Sequence, residues 1–83
     1  MKPKTKAYFE KEIKSVIKQD TKGIKGKVNI EWIWFDRDIT YPSGKKGTTG
    51  KLVVSAKGFK PKSFILTATY DRMYSDGVHW QIV

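Results

Sequence analysis

Few stretches of this chain carry residues that could do chemistry. "GKKGTTGK", residues 44–51, interleaves glycine and lysine in the manner of a phosphate-cradling loop. A P-loop needs four residues between its glycines, then Lys, then Ser or Thr, so that backbone N–H groups wrap the phosphates and the hydroxyl holds magnesium. Here five residues separate Gly44 from Gly50, Leu52 follows Lys51, and no βαβ unit surrounds the stretch. It is expected to be a mobile, positively charged loop. His79 is the only histidine in a chain without cysteine, so the usual zinc ligand set cannot be assembled around it. Asp36 and Asp38 have the two-residue spacing that aims carboxylates to one face of a strand, as a glycosidase pair must converge. Arg37 between them and Tyr41-Pro42 just beyond instead mark a strand that ends and a loop that opens. With no acid, base, nucleophile or metal set that converges, the expectation is a protein that is not an enzyme and needs no cofactor or metal.

The more informative stretch is "EWIWFDRD", residues 31–38, where Trp32, Ile33, Trp34 and Phe35 are consecutive. Neighbouring strand residues point to opposite faces, so such a run is apolar on both sides of a sheet. Regular alternation puts Trp32 and Trp34 in one row with Val28 and Ile30, and Ile33 and Phe35 in the other.

The elements that must position these residues follow from period. Phe9, Ile13, Val16 and Ile17 recur at helical spacing, predicting an amphipathic helix over residues 5–22, with Thr5 to cap its start and Gly23 to end it. Lys4, Lys11, Lys18 and Lys22 fall on the opposite side as a lysine ridge. After "KGIKGK" the pattern becomes alternating, predicting strands at about 27–36, 51–57, 63–71 and 78–83. Their apolar rows are Val28 to Trp34; Leu52, Val54 and Ala56; Phe64, Leu66, Ala68 and Tyr70; and Val78, Trp80 and Ile82. "FKPK" and "MYSDG" read as tight links, with Gly77 able to take positive φ. The expected fold is α+β: one N-terminal helix packed on a four-stranded antiparallel meander, a single domain over residues 1–83.

Composition bounds what such a domain does. The chain has 83 residues and a net charge of +9, and lysines outnumber arginines fifteen to two. Lysine attracts anions as a point charge, whereas arginine's planar fork is what reads bases by paired hydrogen bonds, so attraction without sequence specificity is expected. Residues 1–27 carry nine lysines against three acids, and residues 42–63 carry six lysines and no acid. No apolar run reaches the length of a membrane span or of a signal-peptide core. A cytoplasmic protein is expected, with the mature part of an exported one as the alternative.

The element order and the ending "SDGVHWQIV" resemble cystatin-like and NTF2-like modules, in which a turn ending in Asp-Gly precedes an inward Trp and an Ile two residues later; Asp76, Gly77, Trp80 and Ile82 stand at those positions. The resemblance implies a curved sheet around one helix. The glutamine-valine-glycine hairpin of protease-inhibiting cystatins is missing from "YPSGKKGTTG", and the several helices that enclose an NTF2-like enzyme pocket are missing too. Neither activity is therefore carried over.

Two functions are open from the residues. The first is binding of a polyanion such as nucleic acid through Lys11, Lys18 and Lys22 on the helix and Lys45, Lys46 and Lys51 in the long loop. The second is protein interaction, as an inhibitor, accessory subunit or homodimer, through the second sheet face, with Ile33, Phe35, Val53 and Ile65 as its apolar patch.

Overall fold

A computed structural model describes residues 2–20 and 26–83. Helix α1 (Lys6–Asp20) is followed by strands β1 (Asn29–Thr40), β2 (Lys46–Ala56), β3 (Phe59–Tyr70) and β4 (Val78–Ile82). The strands form one sheet in the order β1-β2-β3-β4, each antiparallel to the next. The expected α+β fold is what is observed, with α1 laid on one face of the meander.

Local chemistry explains the ends of these elements. Thr5 Oγ1 accepts the Tyr8 N–H at 3.3 Å, so Thr5 caps α1 as its position before the helix predicts. The residues beyond Asp20 that would show how α1 ends, Gly23 among them, lie outside the described residues. Phe9, Ile13 and Ile17 point into a core completed by Val28, Leu52, Val54, Leu66, Ala68 and Val78. Burial of these side chains, at about 2 kcal/mol each, is the main force holding one helix to one sheet.

Two links differ from expectation. The segment read as a mobile loop after residue 41 is mostly strand, because β2 begins at Lys46 and not at Lys51. Only residues 41–45 turn: Gly44 N–H donates to Tyr41 C=O at 2.8 Å, Tyr41 N–H donates to Lys45 C=O at 2.9 Å, and Gly44 takes φ +87°. This is a type I turn with a glycine bulge, for which Pro42 supplies the preset φ. Gly47 and Gly50, which suggested a loop, instead lie under rings. A β-carbon on Gly47 would run into the Tyr41 ring, and one on Gly50 would sit 2.8 Å from Trp32. The second difference is that "FKPK" is not a link: Lys57 and Gly58 make the turn, and Phe59 already pairs with Ala56.

The largest correction concerns β1. Trp32 pairs with Leu52 and Trp34 with the adjacent Lys51, so Ile33 is an extra residue with no partner, a β-bulge. One extra residue reverses the alternation beyond it. Phe35, opposite Gly50, therefore turns toward the helix, with its ring 4.9 Å from Trp32 and 6.3 Å from Phe9. Trp34 goes to the outer face and is 42% exposed. The two faces expected for Trp34 and Phe35 are thus exchanged. Trp32 stays inside, where its indole N–H donates to Glu10 of α1 at 3.0 Å.

A second irregularity, between Asp36 and Ile39, lies opposite the fully buried Thr48. Here a relay of hydrogen bonds runs from Lys4 N–H to the Tyr70 hydroxyl, from that hydroxyl to Thr48 Oγ1, and from Thr48 to the Arg37 carbonyl at 2.6 Å. The Arg37 guanidinium donates in turn to the carbonyls of Pro3 and Lys4. The residues before α1 are held down this way, and Tyr8 adds a bond to Asp76 in the β3–β4 turn. Burial, with Asp76 and Glu12 beside it, pushes the Tyr8 hydroxyl up to about 12.

Candidate functional site

The helix runs from one end of the sheet to the other. Tyr8 meets Asp76 near its start, while Ile17 and Asp20 near its end line a cleft with Phe59, Lys62 and Ile82. Its Cα atoms come within 8 Å of β1 alone, so α1 leans toward that edge of the sheet. Above β3 and β4 the C-terminal half of the helix leaves a cleft of about 460 Å³. Its walls are Val16 and Ile17 from α1 and the rings of Phe59, Phe64 and Trp80 from the sheet. That volume lies in the range of clefts that take a small-molecule-sized ligand, with room for a nucleobase.

This end of the molecule also gathers exposed lysines. Lys57 is in the β2–β3 turn, Lys60 and Lys62 follow in β3, Lys27 precedes β1, and Lys18 is in the last turn of α1. All five are exposed, and among the described residues no carboxylate lies within 4 Å of any of them. The Lys62 ammonium sits 5.2 Å from the centre of the Phe64 ring, a cation–π contact at the rim of the cleft. Asp20 is the one acid on the rim.

The lysines picked out from the sequence fall on different surfaces. Lys11 and Lys18 are exposed on α1, and Lys22 lies outside the described residues. Lys45, in the tip of the β1–β2 hairpin, is 3.7 Å from Asp71, and Lys46 pairs with Thr40 beside it. Lys51 is on the outer face of the sheet, away from the helix. Of these, only Lys18 joins the basic end. Lys57, Lys60 and Lys62 were visible as charge in the sequence, but the position of the turn that gathers them depended on where β3 begins.

The outer face carries the second feature. Trp34, Lys51, Ile65 and Val83 form one row across three strands and the residue just past β4, since Trp34 and Ile65 both pair with Lys51 and Ile65 exchanges hydrogen bonds with Val83. Ile33, at the bulge, is 56% exposed, Ile65 39% and Val83 79%. Val53 is half-buried between Glu31 and Ser63. Of the four patch residues expected here, Ile33, Val53 and Ile65 are on or beside this face, and Trp34 stands where Phe35 was expected. The bulge that makes the exchange leaves no mark on a run that is apolar at every position.

The remaining candidates are isolated. His79 is exposed and stacks on Tyr74 with ring centres 5.0 Å apart. Asp36 lies opposite Thr49 and Asp38 in the irregular stretch beyond it, both exposed. Among the described residues no three His, Asp or Glu side chains converge on a common point. Among them, too, no helix is long and apolar enough to cross a membrane. No family model, curated protein or solved structure matches this chain.

Proposed function

We propose that this protein is a non-catalytic module that binds single-stranded nucleic acid at its lysine-rich end. The observation that carries this reading is the coincidence of unpaired lysines with a cleft walled by aromatic rings. Lys57, Lys60, Lys62, Lys27 and Lys18 hold phosphates as point charges, and one base enters the cleft against Phe64 and Trp80. Stacking of a base on such rings is tolerant of sequence, and lysine does not discriminate base edges, so the module binds with little sequence preference.

Anisotropy titration of labelled oligo-dT and oligo-U tests this. The protein binds both at low salt, and log K falls with log salt at a slope of about −3 if about four phosphates are engaged on a single strand. The double variant Lys60→Glu/Lys62→Glu binds at least tenfold more weakly, while Lys11→Glu, on the helix away from the cleft, changes affinity little. No binding at low salt, or equal losses in the two variants, rejects the reading.

A further inference from the structure

We infer that the outer face of the sheet is a dimer interface whose occupant is a second copy of this chain. The face presents Trp34, Ile33, Ile65 and Val83, all exposed, and no described element packs on it. Several exposed apolar side chains gathered on one face of a small domain, here interrupted only by Lys51, mark an interaction surface.

Charge selects the occupant. Two copies of a chain carrying +9 repel each other wherever lysines face lysines. The helix layer and the β2–β3 end are rich in lysine, but the middle of the outer face holds one, Lys51, with Glu31 and Asp36 beside it on β1. This is the surface on which an equally basic partner can approach at the least electrostatic cost. Its own residues also supply both signs. In a two-fold arrangement each contact is made twice, so Lys51 of each copy can meet Asp36 of the other.

Size agrees. At about 4.8 Å between strands and about 3.3 Å per residue, the four strands present a face on the order of 600 Å² before side-chain relief is counted. Stable interfaces bury about 800 Å² per partner, and two sheets packed face to face reach this when their inner side chains interdigitate. Trp34 is the residue type most enriched at the centre of such interfaces.

Sedimentation velocity of the full chain over a concentration series tests the inference, without nucleic acid present. The expected result is a monomer–dimer equilibrium that shifts toward dimer as sodium chloride screens the repulsion of the two copies. Ile65→Lys and, separately, Val83→Glu shift it at least tenfold toward monomer, with the circular dichroism of both variants unchanged. Val83→Glu lies just past β4 and keeps the test valid should Ile65→Lys disturb β3. A chain that stays monomeric at every concentration, or a dimer that survives both substitutions, overturns the inference. Neither result decides nucleic-acid binding, which is proposed for the cleft on the opposite, helix-covered face of the sheet.

Discussion

Trp34 and Phe35 are adjacent in sequence and of similar character, yet they stand in opposite environments. Phe35 touches Phe9 and Trp32, lies over Gly50, and is capped by the Lys6 ammonium 5.6 Å from its ring. Trp34 faces outward, opposite Lys51. Truncation should separate them. Phe35→Ala removes an aromatic ring from between the helix and β1 and is expected to cost about 2 to 3 kcal/mol, at the low end for such changes because Phe35 is only partly buried. Trp34→Ala removes a larger side chain but opens no cavity, and is expected to cost about 1 kcal/mol or less in the monomer. Urea unfolding of the two variants at low protein concentration gives the comparison. The regular alternation of the sequence predicts the reverse order, so equal or inverted costs would return Trp34 to the core.

The cause of that exchange lies in an element, the bulged strand β1. Leu52 and Lys51 are consecutive on β2, and their partners Trp32 and Trp34 would be consecutive on β1 if Ile33 were absent. Deleting Ile33 therefore leaves every other residue on its present face and should change stability by only about 1 kcal/mol. Deleting Glu31, which lies in regular pairing between Ile30 and Trp32, has the opposite consequence. It moves Ile30 and the buried Val28 to the wrong face and should cost about 3 kcal/mol or more. Thermal unfolding of the two deletions measures the difference. The same strand shows what a sequence makes legible. Helical spacing of Phe9, Ile13 and Ile17, and alternation in three strands, are local signals, and the helix, the sheet and most of the core followed from them. A bulge inside a run that is apolar at every position changes no local signal, because either face of "WIWF" satisfies the pattern. Gly47 and Gly50 misled for a related reason. Glycine reads as a turn when its neighbours are unknown, whereas here it makes room for the rings of Tyr41 and Trp32, contacts that exist only after β1 and β2 pair. The candidate binding end was hidden in the same way, since its cleft comes from the lean of α1 toward β1, which no spacing encodes.

At the scale of the whole molecule, uncompensated charge outweighs every other electrostatic feature. The chain carries +9, and among the described residues one ion pair, Lys45 with Asp71, lies within 4 Å. That pair is exposed on the lysine side and worth little, so salt has little attraction to weaken. It has much repulsion to weaken, because the lysines at the β2–β3 end and along α1 are held closer together in the fold than in the unfolded chain. At an ionic strength of about 0.1 M the screening length is about 10 Å, comparable to the spacing of groups across such a small surface. Folding stability is therefore expected to rise with sodium chloride, by several degrees in melting temperature between low salt and a few tenths molar. Sodium chloride is the proper salt for this, since sulfate would strengthen apolar burial by a separate route. For the two proposed surfaces the same series is expected to give opposite signs: binding of a single strand at the lysine-rich end should weaken as counterion release loses its advantage, while association through the outer face should strengthen. A melting temperature that falls with added sodium chloride would mean that attractive pairs outweigh the repulsion, and the lysines would then be partners of carboxylates and not a free surface for an anion.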